Sequence, residues 1–158
     1  MSENNRQYRM TTGRSSVQIV FIYNADDGFF NAISSSMHRV FSPATYECNL
    51  CFYTHDLIGM NRKWKQFLDS LPCSIAFYYR KEFRQAHPDI DVALPAVIAI
   101  DGRTTEVLVS AEEIRDSGSL ERLIELTRDR IHSVVKPASV LNADGSGPGG
   151  GGANGGSP

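Results

Sequence analysis

Cysteine is scarce in this chain: three residues in 158, at positions 48, 51 and 73. So few, so unevenly spaced, exclude the disulfide framework of a small secreted domain. Positive charge is not in excess either, with 16 Lys and Arg against 18 Asp and Glu and a formal net charge of −2. Binding to a phosphate backbone needs the opposite balance, so no nucleic-acid partner is expected. Long hydrophobic runs are missing as well. Val17 to Tyr23 is about a third of a membrane span and is broken by Gln18, which predicts neither a membrane anchor nor a secretory leader. A cytoplasmic protein with no membrane partner is the expectation. There is no internal repeat.

Glycine is sparse except at one end, where eight of the thirteen fall between Gly145 and Gly156. That stretch offers almost no side chains whose burial could offset the entropy of ordering it. The polar, aperiodic residues 1–16 read as a flexible N-terminus and 133–158 as a flexible tail rich in Gly, Ser and Pro. Between them, 17–132 is expected to form a single domain.

Within that domain, Val17-Gln18-Ile19-Val20-Phe21-Ile22-Tyr23 is too continuously apolar for a half-exposed strand, and predicts a central strand buried on both faces. Asn24 to Gly28 reads as a turn, with Asp26 or Asp27 able to cap the next segment. There Phe29, Ile33, Met37 and Val40 recur at helical spacing up to Ser42-Pro43. Met60, Trp64, Phe67, Leu68 and Leu71 form a second helical stripe, ended by Pro72. Ser74 to Arg80 reads as a strand and Lys81 to His87 as a short helix centred on Phe83. Ala96 to Ile100, Asp101-Gly102 and Thr104 to Val109 carry a hairpin signal. Ser110 and Glu113 have capping-box spacing, and Leu120, Leu123, Ile124, Leu126 and Ile131 mark a closing amphipathic helix. The fold class is therefore α/β, a mixed sheet flanked by helices.

Leu94-Pro95 before a strand, a tight hairpin and a last helix resemble the C-terminal half of the thioredoxin-like fold. That resemblance implies a cis-proline at Pro95 bordering a redox site. Thioredoxins carry Cys-x-x-Cys directly after the first core strand, whereas Asn24-Ala25-Asp26-Asp27-Gly28 stands there in this chain. A variant topology is expected, with Ser74 to Arg80 as an extra strand or an altered connection. The blocks Tyr23-Asn24-Ala25-Asp26 and Ser42-Pro43-Ala44-Thr45-Tyr46 with Cys48-Asn49-Leu50-Cys51, and Trp64 in the following helix, resemble a set of small uncharacterised bacterial proteins, some labelled GTPase. The label has no physical support: no Gly-x-x-x-x-Gly-Lys-Ser/Thr loop occurs, and neither Gly13-Arg14 nor Gly102-Arg103 can cradle a phosphate.

Three readings of Cys48-Asn49-Leu50-Cys51 stand open. The two-residue spacer brings the thiols within reach of a disulfide. A helix starting at Cys48 would lower its thiolate pKa, making Cys48 the nucleophile and Cys51 the resolving thiol, with Tyr46, His55 and Pro95 as candidate neighbours. The substrate would be a protein disulfide or a small thiol or disulfide, with no cofactor. In the second reading Cys48, Cys51, His38 and His55 form a zinc site, His55 lying one turn beyond Cys51 on a continuing helix. In the third the thiols are inert packing residues of an adaptor. Cys73 and Trp64 read as core residues, His87 and His132 as solvated ones. Asp26 and Asp27 read as helix caps, or with Asn24 as a cation site at the end of the first strand.

Overall fold

A computed structural model describes residues 16–26, 48–56 and 59–135. The expected flexible termini, but for 16 and 133–135, and the expected helix from Phe29 to Val40 lie outside the described residues. Four strands form one mixed open sheet in the order β4-β1-β5-β6. Strand β1 is Val17–Tyr23, β4 Ser74–Tyr79, β5 Ala96–Asp101 and β6 Thr104–Val109. Strand β1 runs parallel to β4 and antiparallel to β5, and β5 is antiparallel to β6. A small ladder joins β2, His55–Asp56, to β3, Gly59–Met60. Five helices complete the described residues: α1 Asn49–Thr54, α2 Arg62–Asp69, α3 Arg80–Ala86, α4 Ala111–Asp116 and α5 Leu120–Val134. None is long and apolar enough to cross a membrane.

The apolar run Ile19 to Tyr23 of β1 has the predicted consequence. Ile19, Phe21 and Tyr23 pack on one face with residues of α1, α2, α4 and α5, while Val20 and Ile22 pack on the other with Phe83 of α3. Both sides of this strand are cores, so no alternation with polar residues is possible. The segment at Ser74 is a strand of the main sheet. It lies along β1 in register from Gln18↔Ser74 to Tyr23↔Tyr79.

Three boundaries differ from expectation for local reasons. Asp101 pairs with Thr104, so the hairpin loop is Gly102-Arg103 and not Asp101-Gly102. Of these two residues only Gly102 has positive φ, at 60°, as a turn with glycine in its first central position requires. Met60 lies in β3 with its side chain exposed. Asn61 starts α2 by accepting the Lys63 N–H at 2.9 Å, which leaves Met60 outside the helical stripe. At the other end, α5 runs to Val134 and Val135 is buried, past the expected boundary at 132.

Candidate functional site

Cys48 and Cys51 are bonded to each other, with Cα atoms 5.3 Å apart. Cys48 is the N-cap of α1, and its sulfur accepts the Cys51 N–H at 3.3 Å. The dependence on a helix start is therefore met, in a helix of only six residues. The pair belongs to the core: Cys48 is 2% exposed and Cys51 3%. Leu50, fully buried between them, anchors α1 on the sheet, and α1 lies against α4 and α5.

The far end of α1 is tied by a buried polar group that the sequence reading did not single out. Thr54 is fully buried, and its hydroxyl donates to the Leu50 carbonyl at 2.7 Å. The same oxygen lies 2.9 Å from His55 Nδ1. With its one proton committed to Leu50, it accepts from the ring, which assigns a proton to Nδ1. Tyr23, at the end of β1, sits beside Thr54 and the Trp64 indole. Burial holds its hydroxyl well above the usual phenol range, so it is a neutral phenol at any physiological pH. The only signal for this group in the sequence was a hydroxyl residue at the end of an aromatic stretch and a tyrosine ending an apolar strand.

His55 does not continue the helix. Its backbone is extended, at φ −126° and ψ 142°, its N–H caps the Cys51 carbonyl, and its ring meets Tyr23 edge-on at 5.6 Å. The predicted one-turn relation to Cys51 is thus replaced by a turn into β2. Of the expected zinc set, Cys48 and Cys51 are joined to each other, His55 is engaged with Thr54, and His38 lies outside the described residues, as does Tyr46. Among the described residues no three His, Cys, Asp or Glu side chains converge.

The Leu94-Pro95 bond is cis. Pro95 is buried and immediately precedes Ala96, which pairs with Ile22 of β1. It therefore stands at the same end of the sheet as Tyr23 and Thr54. Cys73 is buried at the opposite end, before Ser74, which pairs with Gln18. Burial pushes its thiol up to about 11, which disfavours a thiolate there.

Trp64 is fully buried and edge-on to Phe21 at 5.5 Å. Asp26 takes Arg80 at 3.1 Å and Lys81 at 3.8 Å, and Arg80 also donates to Asn24. Two cations occupy the group read as a cation site, and Asp27 lies outside the described residues. His87 is half-buried against Phe83 and Tyr78, contrary to the solvated reading, whereas His132 is exposed. No protein-family model matches the chain, nor does any curated protein or any solved structure.

Proposed function

We propose that this is a thiol–disulfide redox protein of thioredoxin-like architecture whose working pair is Cys48 and Cys51. The observation that carries the reading is the bond between two cysteines of a Cys-x-x-Cys pair at the start of a helix. While the first turn of α1 is formed, the Cys48 sulfur of the reduced pair faces the Cys51 N–H and the positive end of the helix, both of which favour a thiolate. That thiolate attacks a substrate disulfide and forms a mixed disulfide, releasing one substrate thiolate. The Cys51 thiolate then attacks Cys48 Sγ and releases the second. Two electrons leave the protein, and the bonded pair is the product.

A cytoplasmic setting fits, since a reducing compartment returns such a pair to the dithiol. A small bacterial protein of the set that shares the Tyr-Asn-Ala-Asp and Cys-x-Leu-Cys blocks fits as well. The test is reduction of a small aromatic disulfide and of insulin by the full chain with dithiothreitol as electron source. Catalysis that disappears in Cys48→Ser and persists in Cys73→Ser is the expected result. A wild-type rate no higher than the dithiothreitol blank would leave the pair as packing, the adaptor reading.

A further inference from the structure

The disulfide is almost sealed, yet exchange needs a sulfur that a partner can reach; α1 itself offers the way in. At six residues it is far below the length at which a helix holds itself. Of Asn49, Leu50, Cys51, Phe52, Tyr53 and Thr54, only Leu50 is a strong helix former. Its first turn has no acidic residue and its last turn no basic one. Its N-cap acceptor is a sulfur, weaker than the oxygen of Ser, Thr, Asp or Asn. What closes the first turn is covalent: the ring through Cys48 Sγ and Cys51 Sγ.

We infer that α1 is a redox-gated element, closed over its own sulfurs when Cys48 and Cys51 are bonded and loosened when they are reduced. The inference deepens the proposed thiol–disulfide reading, and rests on the pair being reducible within the folded chain. A dithiol reductant gives two electrons and two protons to the pair, becomes a cyclic disulfide, and leaves thiols on Cys48 and Cys51. The ring is then open, and the helix rests on the sulfur cap, its few backbone hydrogen bonds, the Thr54 hydroxyl's bond to Leu50 and the burial of Leu50 and Thr54. The oxidised chain protects the product bond, and the reduced chain presents the nucleophile.

Amide hydrogen exchange of the full chain, read by mass spectrometry on peptides covering 48–56, 110–116 and 120–134, tests this. After reduction by dithiothreitol, confirmed by two added alkylatable thiols, exchange in 48–56 is expected to quicken about tenfold or more, with the other two peptides unchanged. Cys48→Ala/Cys51→Ala is expected to show the fast pattern without reductant, which also covers the case of a bond too shielded to reduce. Unchanged exchange in 48–56 of the double variant, or equal acceleration of all three peptides, overturns the inference. The insulin assay answers separately: a chain whose 48–56 segment loosens without any turnover keeps the gate and loses the catalytic reading.

Discussion

Helices α1 and α4 have the same length, six residues, and lie against each other, yet they are held by unlike means. In α4 the Ser110 hydroxyl accepts the Glu113 N–H at 3.3 Å, while the Glu113 carboxylate accepts the Ser110 N–H at 3.0 Å. Glu112 and Glu113 stand in its first turn and Arg115 in its last, matching the helix dipole. Arg130 of α5 reaches Glu113 at 2.9 Å and secures the box from outside. Helix α1 has none of this charge pattern and substitutes a disulfide. A short helix needs its first turn closed by something beyond propensity, and only one of these two closures can be undone by a change of redox state.

Core truncation breaks the comparison hardest. Leu50→Ala in α1 and Ile114→Ala in α4 each remove a fully buried side chain, at a cost of about 2–5 kcal/mol. In the oxidised chain the two costs, measured by denaturant unfolding, are expected to be similar. After reduction the cost of Leu50→Ala falls, because a loosened α1 has already surrendered part of that burial, while the cost of Ile114→Ala stays. Equal costs in both redox states would erase the distinction between the helices.

Reduction alone comes next. Closing a loop of four residues stabilises the chain by about 2 kcal/mol on the entropy of the unfolded state. The denaturation midpoint is expected to drop by that equivalent on adding dithiothreitol, and to be indifferent to it in Cys48→Ala/Cys51→Ala.

The box in α4 gives a smaller effect, independent of redox state. Ser110→Ala is expected to cost about 1 kcal/mol with or without dithiothreitol. The Glu113 carboxyl is held below its ordinary value, first by the Ser110 N–H and further by Arg130. Its folded pKa is depressed, so its stabilisation is present above about pH 4.3 and is lost as pH falls through the folded value. The group is partly exposed, which limits the amount to about 0.5–1 kcal/mol. Glu113→Gln is expected to flatten the acid limb of thermal stability in that window and to cost about 0.5–1 kcal/mol near pH 7, since glutamine can keep the box but not the charge that Arg130 meets.

The difference in closure also explains what was legible in the sequence. Ser110 and Glu113 announced α4 because an oxygen cap and a carboxylate three residues on have few other uses. Strand β1 was legible because a run buried on both faces tolerates almost no polar residue, and the hairpin because its turn needs glycine. The turn was misplaced by one residue since Asp101-Gly102 and Gly102-Arg103 both satisfy that need, and only cross-strand pairing chooses between them. His55 was misread because nothing local stops a helix there; the buried Thr54 hydroxyl and the Tyr23 ring, brought in by the sheet, turn it out. The Cys48 and Cys51 pair was visible as a spacing. Its burial was only one of the readings left open, because most of the cover comes from helices distant in sequence.

The finest test replaces one closure by the other. In the Cys51→Ala background no ring can form, and Cys48→Ser restores an oxygen acceptor facing the N–H of residue 51, the role that Ser110 plays toward Glu113. Relative to Cys48→Ala/Cys51→Ala, the Ser variant is expected to regain about 0.5–1 kcal/mol and to slow amide exchange across 48–56 severalfold, leaving 110–116 as it was. The gain is smaller than that of the disulfide because a cap satisfies one donor, whereas the ring also removes conformations from the unfolded chain. If the Ser and Ala variants exchange at the same rate, the first turn is not the weak point of α1, and the hold lies instead in Thr54 and its partners at the other end.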